Sequence, residues 1–192
     1  VEIDSNLVKQ AETLLALRSS RIRPAALDSE RIVDYFPISA VLQNGYRSEP
    51  KSKASNDSGS AFAPPDWPRV TFVPEDWVVS ENPATSGPYD VVLAMSVIKW
   101  IHLEHLDKGL VHFFRKCSAS LVPGGHLVIE LQTWDSYEKA IRPNHAPHFA
   151  ENFQKLQQRP ETSFTGLLKE QGLELCATSD ALPRRISVYR KQ

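Results

Sequence analysis

The sequence predicts an α/β fold: a mostly parallel sheet with an antiparallel C-terminal strand pair. Three observations carry this. Tyr89-Asp90-Val91-Val92-Leu93-Ala94 is a nearly unbroken apolar run entered through Gly87-Pro88, as a strand buried on both faces reads, and helical spacing takes over from Leu106. Val122-Pro123-Gly124-Gly125 ends that helical pattern, and a second apolar run, His126 to Gln132, follows at once. Last, 173–178 and 185–189 read as two short strands joined by a turn.

The elements follow in chain order. Val1-Glu2-Ile3-Asp4 reads as the end of a strand, so the chain is expected to begin inside a domain and to form one partial domain over 1–192. Ser5 can cap a helix over 6–19, with Leu7, Val8, Ala11, Leu14, Leu15 and Leu17 mostly on one stripe. A weaker helix is expected over 28–36, with Pro24 favouring a break before it. Ser, Pro, Asn, Asp and Lys dominate 43–68, too little apolar surface to offset the entropy of ordering, so a disordered insertion is expected there. Val70 to Val73 reads as a short strand and 82–88 as a turn-rich connector. After the strand at Tyr89, an amphipathic helix is expected over 106–121, with Leu110, Phe113, Phe114 and Cys117 facing inward. Thr133 to Tyr137 follows the polar end of the second strand. Helices are expected over 144–158 and 163–171, the second stopped by Gly172.

Composition narrows the function classes. Apolar residues make up 41% and charged residues 23%, a globular balance. Twenty-two basic against 23 acidic side chains leave no footprint for bulk binding to DNA or to a membrane surface. No apolar run reaches the ~18 residues of a membrane span. Cys117 and Cys176 are far apart, without metal-ligand spacing. Both lie among apolar residues, which predicts buried reduced thiols and an intracellular home, nuclear or cytoplasmic.

A buried strand that ends in small and polar residues and feeds a helix places those residues where open α/β sheets bind ligands. Here they are Met95, Ser96, Lys99-Trp100 and His102. At the second strand they are Glu130, Gln132, Trp134 and Tyr137.

The helix, the Leu121-Val122-Pro123-Gly124-Gly125 turn and the strand after it resemble a class I, Rossmann-like methyltransferase. The fuller set is narrower. Tyr89 to Leu93, Lys99-Trp100-Ile101-His102-Leu103, Gly109-Leu110, Phe113-Phe114-Arg115, and Glu130-Leu131-Gln132-Thr133-Trp134-Asp135-Ser136-Tyr137 resemble the bicoid-interacting protein family of RNA methylphosphate capping enzymes. The resemblance covers about residues 1–20 and 70–190. It implies transfer of a methyl group from S-adenosyl-L-methionine to the 5′-terminal phosphate of an RNA. No glycine of this chain makes a G-x-G pattern after a strand, so the first strand and Gly-rich loop of that fold are expected to be absent from it.

The resemblance also implies roles. Glu2 would take the cofactor ribose and Ile3 pack on its adenine. Asp76 would reach the adenine amino group, Trp77 lie beside the ring, and Met95 line the pocket. Lys99 would hold the reacting phosphate, with Lys139 and Arg142 as weaker alternatives. Trp100, Trp134 and Tyr137 would stack on terminal bases. Glu130 and Gln132 would face the substrate, and His102 hydrogen-bond a phosphate. On residue chemistry alone, Glu2 is equally a surface glutamate, Met95 a core residue, Trp100 a packing residue and His102 a structural histidine. Two rival functions stay open: a class I methyltransferase acting on a small molecule or protein, and a non-catalytic RNA-binding remnant.

Overall fold

The computed structural model describes residues 1–19, 70–141, 146–179 and 185–192. The helix expected over 28–36, the insertion over 43–68 and Arg142 lie outside them. The chain forms two compact units, Val1–Trp77 and Val78–Gln192, and each is described by itself.

In the first unit, helix α1 spans Ser5–Ser19. Asp4 does the capping expected of Ser5: its carboxylate accepts the Asn6 amide at 2.8 Å, and its carbonyl accepts the Val8 amide at 3.1 Å. Of the expected apolar stripe, Val8 is buried while Leu7 and Leu14 are exposed. The strand expected over 70–73 is reduced to an isolated parallel bridge between Glu2 and Pro74. Glu2 N–H donates to the Val73 carbonyl and Glu75 N–H to the Glu2 carbonyl, both at 3.0 Å.

The second unit holds strands β1 (Tyr89–Ala94), β2 (Leu121–Glu130), β3 (Leu173–Ser179) and β4 (Ile186–Lys191) in the order β1-β2-β4-β3. β1 and β2 are parallel; β4 is antiparallel to both β2 and β3. The late pair is thus as expected, and the described sheet as a whole is mixed. Between β1 and β2 run the 23 residues of helix α2, Ile98–Ser120. A crossover of this kind is what joins parallel neighbours. Three shorter helices follow β2: α3 (Trp134–Ala140), α4 (His148–Lys155) and α5 (Phe164–Glu170).

One face of the sheet is dry. Ala94, Leu127, Ile129 and Tyr189 are buried there, as are Leu110, Phe114 and Cys117 of α2 and Phe164 and Leu168 of α5. Phe114 and Phe164 meet edge to face at 5.7 Å, the geometry aromatic quadrupoles prefer. A smaller cluster of Leu103, Tyr137 and Ala140 gathers Phe149, Phe153 and Leu156 around it, and so fixes α3 and α4 against α2.

Four expectations are corrected. β1 is buried on one face only: Ala94 is buried, whereas Val91 and Leu93, whose side chains alternate to the opposite face, are exposed. The stop expected at Val122-Pro123-Gly124-Gly125 lies inside β2 as an irregularity, where the step from Tyr89 to Val91 opposes the step from Leu121 to His126. Gly124 takes φ +79°, and a Cβ on Gly125 would stand 2.9 Å from the Val122 carbonyl oxygen and 3.0 Å from that of Asp90. α2 starts at Ile98 rather than near Leu106; its first turns bury Ile98, His102 and Leu103, and a non-helical Leu106 (φ 60°, ψ −173°) joins them to the rest. Thr133 to Tyr137 opens a helix, in which Tyr137 and Ala140, three residues apart, both fill a core. Cys176 is exposed on β3, although Cys117 is buried as expected.

Candidate functional site

Parallel pairing of Ala94 with Ile129 brings the carboxyl ends of β1 and β2 to one edge. The Ser96 hydroxyl donates to the Glu130 carboxylate at 2.6 Å and fastens the two ends together. Ser96 holds φ 60°, a left-handed conformation at the point where the chain leaves β1 for α2.

Lys99 lies in the first turn of α2 and is 9% exposed. Its backbone N–H donates to the Gln132 side-chain oxygen at 3.2 Å, which ties the start of α2 to the end of β2. Its ammonium donates to the Ser136 carbonyl at 3.3 Å and lies 4.5 Å from the centre of the Trp100 ring. Within the same turn of α3 the Ser136 hydroxyl is buried, with no hydrogen-bond partner among the described residues. A buried cation, a buried hydroxyl with no partner among the described residues and the positive end of the first turns of α2 therefore share one edge. Lys99, Trp100, Glu130, Gln132 and Met95 are brought together here; Met95, 40% exposed, sits just past the tip of β1. Lys139 lies in the last turn of α3 with its side chain exposed.

Three residues expected to meet a substrate have little or no open surface. His102 is 0% and Tyr137 1% exposed. Trp134 is half-buried: its ring is stacked with Phe153 at 4.8 Å and Tyr137 at 5.1 Å, and the Arg159 guanidinium lies 4.3 Å from its centre. Its backbone N–H donates to the Glu161 carboxylate at 2.7 Å. These three form the wall behind the site: Trp134 and Tyr137 pack in the cluster around Leu103, and His102 lies edge-on between Tyr137 and Phe164. Trp100 keeps an accessible ring, packed at a tilt on Phe149.

The wall has its own polar network, which sequence reading missed. His102 Nε2 lies 2.7 Å from Asp107 Oδ1, and its Nδ1 lies 3.3 Å from the Tyr137 hydroxyl. Asp107 also accepts the backbone N–H groups of Gln157 at 2.9 Å and Gln158 at 3.2 Å. Burial lowers the pKa of His102 below its ordinary value, against the pull of the Asp107 charge. Burial acts to raise that of Asp107, but the hydrogen bonds from His102, Gln157 and Gln158 together leave it below the ordinary carboxylate value. The Tyr137 hydroxyl is pushed up, by burial first and then by the charges of Glu161 and Asp107. No spacing signal in the sequence announces Asp107, because the helix break that turns it toward His102 falls on a leucine.

In the first unit, the bridge between Glu2 and Pro74 sets the chain ends carrying Glu2-Ile3 and Asp76-Trp77 side by side. Glu2 also accepts the Asp4 amide at 3.1 Å, and Ile3 is 66% exposed. Two carboxylates, an apolar side chain and an indole at adjacent chain ends are a donor set that fits ribose hydroxyls, an amino group and a purine face.

Residues 89–191 match the family described as Bicoid-interacting protein 3. The human 7SK snRNA methylphosphate capping enzyme is 35% identical over 129 residues, which cover 66% of this chain and 18% of that protein. The rat RNA 5′-monophosphate methyltransferase is 41% identical over 54 residues, 28% of this chain and 18% of that one. This chain therefore matches about a fifth of the length of these relatives. Among solved structures, an O-methyltransferase family protein from Burkholderia thailandensis is 16% identical, with a TM-score of 0.44 over 65% of this chain and 36% of that chain. The family match covers more than half of the chain and contains the whole edge built by β1, α2, β2 and α3, so this protein belongs to the Bicoid-interacting protein 3 family.

Proposed function

We propose that the chain is part of an S-adenosyl-L-methionine-dependent methyltransferase that acts on the 5′-terminal phosphate of an RNA, with Lys99 holding that phosphate. The observation that carries this reading is the buried Lys99 ammonium, held between Trp100 and the Ser136 carbonyl at the joined ends of β1 and β2. The names of the human and rat relatives support the same substrate class.

The chemistry asks little acid–base help of the protein. S-adenosyl-L-methionine supplies a methyl group on a sulfonium, a strong electrophile, and a phosphate oxygen is already anionic at neutral pH. What the chain must provide is placement, which for well-oriented reactants is worth roughly 7–11 kcal/mol. Lys99 fixes the phosphate without neutralising it fully, and the Ser136 hydroxyl is a donor not spent on any described residue. Trp100 offers a ring face to the first base. Met95 borders the same edge. Glu2, Ile3, Asp76 and Trp77 are the residues that would hold the cofactor's nucleoside. An intracellular place of action goes with this substrate; among the described residues no helix is long and apolar enough to cross a membrane.

The test is methyl transfer from labelled cofactor to a short RNA carrying a 5′-monophosphate, beside the same RNA with a 5′-hydroxyl. Label on the first alone supports the reading. Equal label on both, or label on protein or small-molecule acceptors only, overturns it.

A further inference from the structure

The Asp107–His102–Tyr137 network lies behind the proposed site and touches no part of it that a substrate reaches. It adjoins the α3 turn whose Ser136 carbonyl receives the Lys99 ammonium. Residues five apart on an unbroken helix point about 140° away from each other. His102 and Asp107 meet because Leu106 between them adopts φ 60°, ψ −173°. A non-glycine residue in that region is strained and persists only where its surroundings over-determine it. Here they do, since Asp107 draws three donors from two segments: the His102 ring and the Gln157 and Gln158 amides.

The tautomer follows from these partners. An ionised carboxylate only accepts, so Nε2 of His102 carries the proton toward Asp107. In the neutral ring Nδ1 is then an acceptor, and the Tyr137 hydroxyl donates to it. The opposite tautomer would set two acceptors 2.7 Å apart. His102 is held edge-on between Tyr137 and Phe164, with both ring centres at 5.6 Å, so it has no room to turn away. Tyr137 lies one helical turn after Trp134 and next to Ser136, whose carbonyl receives the Lys99 ammonium.

We propose that Asp107 is a positioning residue: by fixing the His102 ring it sets the place of Tyr137, and with it the α3 turn on which Lys99 rests. This deepens the reading of Lys99 as the phosphate-holding group and rests on it. Neither Asp107 nor His102 touches the substrate.

Three measurements test this on the chain as it is. Imidazole 15N NMR of the wild type is expected to show His102 neutral with the proton on Nε2, and Asp107→Asn, which can offer an N–H to Nε2, to move that proton to Nδ1. Binding of 5′-monophosphorylated RNA is expected to weaken at least about fivefold in Asp107→Asn and in Tyr137→Phe, with binding of the matched 5′-hydroxyl RNA unchanged. Urea unfolding identifies variants that remain folded, and Tyr137→Phe keeps the ring and so guards against collapse of the wall. A proton on Nδ1 in the wild type overturns the proposal. So does a folded variant that keeps full phosphate preference or loses affinity for both RNAs equally. Should the wild type itself show no phosphate preference, the functional reading falls; the NMR comparison then decides the network alone, with a reversed tautomer in Asp107→Asn sustaining it and an unchanged one overturning it.

Discussion

Replacing Lys99 by Met removes the ammonium while keeping an unbranched stem against Trp100. In water an ion pair at ~4 Å gains only ~1 kcal/mol, but at the effective dielectric of a half-wet protein site the same pair gains ~4 kcal/mol. Lys99 is 9% exposed, so the second regime applies. Dehydration of the phosphate consumes part of this gain, and charge-assisted hydrogen bonds net ~1.5–3 kcal/mol. The expected loss in affinity for 5′-monophosphorylated RNA is therefore about 10- to 150-fold. Affinity for the 5′-hydroxyl RNA is expected to change by less than about twofold, since Trp100 and the rest of the edge remain. Fluorescence anisotropy with both RNAs at two salt concentrations reads this directly, with the phosphate preference of the wild type shrinking as salt rises. Lys99→Arg keeps the charge but spreads it over a wider planar fork, so partial recovery is expected. Equal losses for both RNAs, or a loss below about threefold for the phosphorylated one, refute the reasoning.

Other expectations follow from single contacts. Ser136→Ala removes a buried hydroxyl with no partner among the described residues, and is expected to raise the unfolding free energy by ~1 kcal/mol in urea titrations while lowering the preference for a 5′-phosphate. Phe114→Ala empties a fully buried position packed on Phe164 and is expected to cost ~3–5 kcal/mol by the same measurement. For His102 the folded pKa lies below the ordinary 6.5. The unfolded chain therefore binds the extra proton first, so this contribution to stability is complete above about pH 6.5 and declines as pH falls toward the folded value. Asp107, which faces the ring, is held below the ordinary carboxylate value and the Tyr137 hydroxyl is pushed up, so neither titrates between pH 7.5 and 5.5 to mask the effect. Unfolding midpoints between pH 7.5 and 5.5 are expected to slope downward, and the slope to flatten in His102→Gln.

Period and punctuation were enough to locate most of the second unit. A continuous apolar run, a helical stripe, Pro-Gly-Gly and a second run can be arranged in few ways, and parallel pairing of β1 with β2 is the short, right-handed one. The C-terminal antiparallel pair was legible for the same reason: Leu173 and Leu175 alternate with Glu174, and Ile186 and Val188 with Ser187, on either side of turn residues. Lys99 stood out because a charge beside a large aromatic at a strand's end conflicts with a core. What the sequence could not yield is which rings face the cleft. Trp134, Tyr137 and His102 are chemically suited to stacking or phosphate binding, and only packing turned them inward, the first two around Leu103 and His102 between Tyr137 and Phe164. Asp107 was invisible too, because its partner is chosen by a backbone angle at Leu106 that no glycine or proline marks. Local propensity and period are properties of neighbouring residues and can be read along the chain. Burial and hydrogen-bond partnership depend on residues dozens of positions away, as with Ser96 and Glu130 or Asp107 and Gln157, and exist only once the chain has closed on itself.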